Sequence, residues 1–125
     1  TLLGFVPTPA LAAEISSLTV EASTSTMPLI IAAYAHRAGI GEHTELLQRI
    51  AYCESRYNKD ARGYNRTKAG KVWSVDVGVF QVNNYYHKEI TDPFLNIEYA
   101  MELFKSEGSK PWLSSARCWK GGLSP

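Results

Sequence analysis

The most informative segment of this 125-residue chain reads Thr44-Glu45-Leu46-Leu47-Gln48-Arg49-Ile50-Ala51-Tyr52-Cys53-Glu54-Ser55. Leu47, Ile50 and Ala51 recur at the spacing of an α-helix, which predicts a helix over residues 44–55 with one apolar face. Glu54 follows Leu47 by seven residues and therefore belongs to that same face. The segment thus predicts a carboxyl group at the end of a helix, on its buried side.

Burial would give the carboxyl group of Glu54 a specific chemistry. Removing a carboxylate from water disfavours its charged form and raises its pKa, so that the group can donate a proton near neutral pH. The alternative is a structural role, in which Glu54 lies at the rim of the helix and forms an ion pair with Arg56 or Lys59.

Capping signals predict further helices on both sides of this segment. One is expected over residues 27–38. Another is expected to begin at Asp92-Pro93, since Asp is a favoured N-cap and Pro fits the first turn, and to end at Gly108. A last short helix is expected over residues 114–119.

The middle of the chain has the pattern of β-structure. Residues 64–82 are rich in β-branched and alternating side chains, which predicts a hairpin with its turn at residues 68–71 and its second arm over 72–77. A short helix is expected over residues 83–90, which begin with two asparagines. The sum is an α+β fold, mainly helical with a small antiparallel sheet.

Asp76 is the second candidate carboxylate. In an alternating strand it shares one face with Ser74 and Gly78, while three valines occupy the other face. Asp76 is therefore expected on a polar face, where it keeps its charge. Gly78 leaves room for a ligand or another backbone segment to approach. The alternative is an ordinary solvated aspartate.

Composition limits the class of protein. With 45% hydrophobic and 20% charged residues, the chain is expected to form one globular domain. Residues 1–26 hold two acidic and no basic residues, so the remainder carries 13 basic against 10 acidic side chains. That mild positive charge argues against nucleic acid as a partner. No apolar run approaches the length of a membrane span.

The first 12 residues have the pattern of the end of a secretory signal, with small residues after a short apolar run. Residues 13–26 then form a linker or leader, and residues 27–125 the domain. An exported chain favours a disulfide between Cys53 and Cys118, which would close a loop of about 65 residues and contribute roughly 4 kcal/mol. The alternative is a pair of buried free thiols.

Metal and cofactor motifs are not found in the sequence. His36, His43 and His87 are far apart, and neither a CxxC nor an HExxH spacing occurs. We therefore expect neither a metal nor a cofactor.

Two segments together resemble the lysozyme superfamily of peptidoglycan-cleaving enzymes. Residues 51–61 carry the pattern Glu-Ser-x-x-Asn-x-x-Ala, and residues 76–83 carry Gly-x-x-Gln-x-Asn. The helix that starts at Asp92-Pro93 is similar to one in lytic transglycosylases. A Cys directly before Glu, with a second Cys in a late Trp-rich segment, is similar to resuscitation-promoting factors. The resemblance covers residues 51–119 and implies a lysozyme-like fold.

The resemblance also implies roles for individual residues. Glu54 matches the general acid that protonates the leaving glycosidic oxygen, and Asp76 matches the second carboxylate of animal-type lysozymes. Ser55, Gln81 and Asn83 belong to the motifs that shape the sugar cleft. The aromatic rings of three further residues suit the apolar faces of sugars, and they complete the expected substrate-binding set: Trp73, Tyr85 and Tyr86. Trp112 and Trp119 are expected in the core instead.

Three functions remain open from the sequence. The first is hydrolysis of the β-1,4 bond between N-acetylmuramic acid and N-acetylglucosamine in peptidoglycan. The second is lytic transglycosylation, which uses Glu54 alone and forms 1,6-anhydro ends. The spacing from Glu54 to Asp76 is longer than in animal-type lysozymes, so the two carboxyl groups need not face each other, which favours this second function. The Ala-Tyr-Asn motif of many lytic transglycosylases, however, is not found after the Asp92 helix. The third is a non-catalytic module that binds cell-wall glycan. In each case we expect a monomer that is secreted or associated with the cell wall.

Overall fold

The computed structural model describes residues 26–121. The expected signal remnant and residues 13–25 of the expected leader lie outside them. Four α-helices follow one another along the described chain: α1 Met27–Arg37, α2 Thr44–Ser55, α3 Pro93–Glu107 and α4 Ala116–Lys120. Short 3₁₀ helices precede α2 at Gly41–His43 and α4 at Lys110–Ser115. None of the helices in this range has both the length and the apolar character needed to cross a membrane.

The boundaries of the long helices follow from local chemistry. At the start of α3 the carboxylate of Asp92 accepts hydrogen bonds from the backbone N–H groups of Phe94 and Leu95, at 2.9 and 3.0 Å. Gly108 ends the same helix with a positive φ of 64°. The predicted helix over residues 44–55 is confirmed as α2. The last predicted helix, over residues 114–119, is divided, because its first two residues belong to the 3₁₀ helix and α4 begins only at Ala116.

Three strands form an antiparallel sheet in the order β1 Arg62–Arg66, β2 Val72–Val77 and β3 Val82–Asn83. The predicted hairpin is confirmed, and its turn is closed by a 2.8 Å hydrogen bond from the N–H of Thr67 to the carbonyl of Lys71. Asp76 on β2 lies opposite Gly63 on one side and Asn83 on the other. The observed architecture is α+β, as predicted.

The helix predicted over residues 83–90 is wrong. Asn83 is part of β3, and its side-chain oxygen accepts a 2.8 Å hydrogen bond from the N–H of Tyr85. Asn84 continues the pairing with Val75, by a backbone bond of 3.0 Å and a side-chain bond of 2.8 Å. The two asparagines therefore serve the sheet and a tight turn, which is the competing use of such side chains.

The turn at residues 78–81 is the centre of the fold. Val79 and Phe80 are fully buried in it. The backbone carbonyl of Phe80 accepts a 2.9 Å hydrogen bond from the Trp112 indole. The backbone N–H of Phe80 donates to the side-chain oxygen of Asn96 on α3 at 3.3 Å. Because both partners come from helical elements, this turn joins the sheet to the helices.

A disulfide joins Cys53 on α2 to Cys118 on α4, with their Cα atoms 5.9 Å apart. The predicted bridge is thereby confirmed. It holds the last helical segment against the end of α2, next to Glu54.

Candidate active site

Glu54 lies in the last turn of α2 and is half-buried. The chain reverses directly after the helix, since Arg56 and Tyr57 both have positive φ angles, 55° and 64°. One carboxyl oxygen of Glu54 accepts a hydrogen bond from the hydroxyl of Ser115. Burial raises the pKa of Glu54; the Ser115 hydroxyl lowers it, the charge of Asp76 raises it, and the net direction is upward.

The ion pair considered for Glu54 is not formed within the described part of the chain. Arg56 donates instead to the hydroxyl of Tyr52 at 2.9 Å, and Lys59 pairs with Asp60 at 3.1 Å. Glu54 therefore contacts a neutral hydroxyl where a cation would have stabilised its charged form.

Asp76 belongs to a polar cluster that spans all three strands, which we call the Asp76 cluster: Asn65, Ser74, Asp76 and Asn83. One carboxylate oxygen of Asp76 accepts from the Asn83 amide at 2.8 Å, and the other accepts from the Asn65 amide at 3.2 Å. Both amides also donate to the hydroxyl oxygen of Ser74, at 2.9 and 3.1 Å. The cluster fixes the orientation of the Asp76 carboxylate, whose charge acts on Glu54.

Ser55 lies in the framework that joins α2 to the sheet. It is buried, and its hydroxyl is 2.7 Å from the Val79 carbonyl and 3.1 Å from the Ala51 carbonyl. A serine hydroxyl has a single hydrogen, which is used on these internal acceptors. The structure thus assigns Ser55 to the placement of residues 78–81 beside Glu54 and not to an exposed sugar contact.

Gln81 has a similar position in the framework. Its side-chain amide donates to the carbonyls of Ala61 and Gly78, at 3.1 and 3.0 Å, and its backbone has a positive φ of 51°. Both amide hydrogens therefore hold the turn at residues 78–81 against the start of β1. Asn83, by contrast, is exposed and contributes to the Asp76 cluster.

Three exposed aromatic side chains contact one another in series. Trp73, Tyr85 and Tyr86 are 54%, 59% and 91% exposed. The Trp73 and Tyr85 ring centroids lie 5.5 Å apart, and those of Tyr85 and Tyr86 lie 4.7 Å apart, each pair edge to face. The N–H of Tyr85 donates to Asn83, which connects the rings to the cluster. Trp112 and Trp119 are buried in the core, as predicted.

Sequence reasoning missed two residues of this site, Asn65 and Ser115. Asn65 lies opposite Ser74 in the hairpin register, so it can be found once the turn at residues 68–71 is placed. Ser115 is 61 residues from Glu54 and has no local signal. The disulfide provides an indirect signal. It joins Cys118 to Cys53, the residue before Glu54, and Ser115 precedes Cys118 by about one helical turn, so Ser115 is brought close to Glu54.

The arrangement combines a carboxyl group with a raised pKa, a charged carboxylate near it and an exposed aromatic surface. Such a pair of carboxyl groups in different environments suits acid–base chemistry, and flat exposed rings suit carbohydrate. No family model, no curated protein and no solved structure matches the chain.

Proposed function

We propose that this protein is a lysozyme-like glycosidase that cuts the β-1,4 bond between N-acetylmuramic acid and N-acetylglucosamine in peptidoglycan. The observation that carries the proposal is the environment of Glu54. Its carboxyl group is half-buried, contacts the hydroxyl of Ser115, and is close enough to Asp76 for that charge to raise its pKa. Burial and the charge of Asp76 together outweigh the Ser115 hydrogen bond, and the net effect favours the protonated form that a general acid needs.

In the proposed reaction Glu54 gives its proton to the bridging glycosidic oxygen as the bond from that oxygen to the anomeric carbon breaks. Positive charge then develops on the sugar ring, and the carboxylate of Asp76 would stabilise it. Water completes the hydrolysis by adding its oxygen to the anomeric carbon and returning a proton to Glu54. Trp73, Tyr85 and Tyr86 would hold the neighbouring sugars by stacking.

Lytic transglycosylation is the second candidate, and one observation favours it. Both oxygens of Asp76 accept hydrogen bonds from amides of the Asp76 cluster. Such hydrogen bonds stabilise the charge on the carboxylate and make it a weaker nucleophile, which opposes a covalent role for Asp76. In the alternative, the 6-hydroxyl of the muramic acid attacks its own anomeric carbon and gives its proton to Glu54, so that Glu54 alone performs the chemistry and water is not consumed.

The proposal is tested with the variant Glu54→Gln on purified peptidoglycan. We expect at least a 100-fold slower clearing of the suspension, since general acids contribute about 10²–10⁴-fold. The matched control is Glu45→Gln on the same helix, an exposed glutamate that pairs with Arg49 at the surface; it should clear at the wild-type rate. A Glu54→Gln variant as active as the wild type would contradict the proposal.

Product masses separate the remaining possibilities. Hydrolysis gives reducing ends, whereas lytic transglycosylation gives anhydro ends that are lighter by one water. A wild-type protein that binds the glycan and releases no product would overturn catalysis and support a non-catalytic cell-wall-binding module.

A further inference from the structure

The hydroxyl group of Ser115 has two neighbours that compete for it. Its oxygen contacts the carboxyl group of Glu54 and lies 3.1 Å from the backbone carbonyl of Trp112. Both neighbours are acceptors when Glu54 is ionised. A hydroxyl has one hydrogen and two acceptor lone pairs, so it donates to one of these two groups at a time.

The protonation state of Glu54 decides which neighbour receives the hydrogen. An ionised Glu54 takes it, because hydrogen bonds to a charged acceptor are the stronger ones. A protonated Glu54 carries its own hydrogen and can donate it to the Ser115 oxygen. The Ser115 hydroxyl is then released to donate to the Trp112 carbonyl, which also accepts from the Trp119 indole at 3.1 Å.

We propose that Ser115 is a positioning residue that holds Glu54 in the same place in both of its protonation states by turning its hydroxyl between Glu54 and the Trp112 carbonyl. This role deepens the proposed function, because a general acid must be held both before and after it gives up its proton. Ser115 need not touch the substrate to do so.

The surroundings of Glu54 allow this exchange. Asp76 on β2 is the charged group whose field acts on Glu54, and it favours the protonated form. Arg56 and Lys59, which follow Glu54 in the chain, are held by Tyr52 and Asp60. The Ser115 hydroxyl thus supplies the hydrogen bond that favours the ionised form.

The variant Ser115→Ala tests the proposal through the pKa of Glu54, measured by carbon-13 titration of its side-chain carboxyl. The pKa should rise above the wild-type value, because the ionised form loses its donor. Ser115→Thr keeps the hydroxyl and should restore the wild-type pKa. The matched control is Ser106→Ala, since the exposed Ser106 donates to the carbonyl three residues earlier, at 3.2 Å, in the same way as Ser115. An unchanged or lowered Glu54 pKa in Ser115→Ala would overturn the proposal.

A second measurement needs no change at Ser115. The Trp119 indole shares the Trp112 carbonyl with Ser115, so its N–H proton resonance in the wild type should shift with a midpoint at the pKa of Glu54. The shift should vanish in Glu54→Gln. A Trp119 resonance that does not respond as Glu54 titrates would contradict the exchange of the hydroxyl, even if Ser115→Ala fails to fold.

Kinetics then separate this role from the proposed function. In Ser115→Ala we expect kcat to fall about ten-fold with KM unchanged, because the acid is misplaced while the sugar contacts remain. The basic limb of the pH–rate profile should move to higher pH together with the Glu54 pKa. An inactive wild type would refute the glycosidase, yet the two titrations would still test Ser115.

Discussion

At the scale of single residues, Glu54 links the proposed chemistry to folding stability. Its folded-state pKa is raised by burial, so the folded protein holds the Glu54 proton more tightly than the unfolded chain does. The stabilising contribution is complete below the unfolded pKa and is lost as the pH rises through the folded pKa. At any pH above the unfolded pKa, Glu54 therefore opposes folding.

The variant Glu54→Gln should remove this opposition. We expect its Tm to exceed that of the wild type at about pH 7 and the difference to shrink towards zero as the pH is lowered through the range where Glu54 takes up its proton. Thermal unfolding followed by circular dichroism at several pH values measures it. The exposed Glu45→Gln control should show no such trend, and a Glu54→Gln variant that is less stable at neutral pH would argue against a desolvated carboxyl group.

Asp76→Asn addresses the Asp76 cluster at the same scale. An amide at this position points a donor at Asn65 or Asn83, both of which donate to Asp76. Asn83 cannot turn its own oxygen inwards without losing the Tyr85 N–H. Asn65 can turn its side-chain oxygen towards the new donor, but both hydrogen bonds then lose the carboxylate charge that strengthens them. We expect a loss of about 1 kcal/mol in the free energy of unfolding, measured in urea.

The exposed Asp60→Asn is the control for that measurement and should change stability little. An Asp76→Asn variant as stable as the wild type would mean that the cluster does not constrain the carboxylate.

At the scale of elements, Gly78 determines how β2 meets α3. Its φ is +82°, and a Cβ atom there would lie 2.6 Å from the Asn96 side-chain nitrogen. Asn96 is fully buried and donates to the carbonyls of Val77 and Ile90, at 2.8 and 3.0 Å. It has little freedom to move away from an added methyl group.

Gly78→Ala should therefore cost more than a positive φ alone. Gly70→Ala is the matched control, since Gly70 has a φ of +87° and open space around its Cβ position. We expect Gly70→Ala to cost about 1–2 kcal/mol from the left-handed backbone and Gly78→Ala at least about 2 kcal/mol more. Equal losses in urea unfolding would show that contact with Asn96 does not matter.

The elements that sequence reasoning predicted well are those with local causes. α2 follows from its apolar period, α3 from the Asp92 cap and Gly108, and the hairpin from alternation around a turn. The helix predicted over residues 83–90 was wrong because Asn84 bonds to Val75, which lies on another strand, β2. A capping residue has the same local signal whether it serves a helix or a strand end.

At the scale of the whole molecule, the disulfide is the covalent tie between the first and last parts of the site. Closing a loop of 65 residues should contribute about 4 kcal/mol to the free energy of unfolding in the chain-entropy model. Urea unfolding of the oxidised protein, the reduced protein and the double variant Cys53→Ser/Cys118→Ser measures it. The urea midpoints of the reduced protein and of the double variant should match, and both should lie well below the midpoint of the oxidised protein. Equal midpoints for all three would contradict a stabilising bridge.

The candidate site was only partly predictable, and the reason is its long-range assembly. Glu54 and Asp76 were named as candidates from the patterns of their own elements. Tyr85 and Tyr86 were named for the chemistry of their rings, while the helix predicted around them is wrong. The buried position of Ser55 was not predicted, because its hydroxyl donates to the carbonyl of Val79, 24 residues away in the sequence. Ser115 was missed for the same reason, since it reaches Glu54 only through the packing of the last helical segment.

The role proposed for Glu54 is that of a general acid that acts in its protonated form. Its most direct test is the pH dependence of kcat/KM on soluble peptidoglycan fragments, set beside the carbon-13 titration of the Glu54 carboxyl group in the free protein. We predict a basic limb whose midpoint coincides with the Glu54 pKa, above that of an exposed glutamate. A basic limb that does not follow Glu54, or a Glu54 pKa at or below that of an exposed glutamate, would contradict this role.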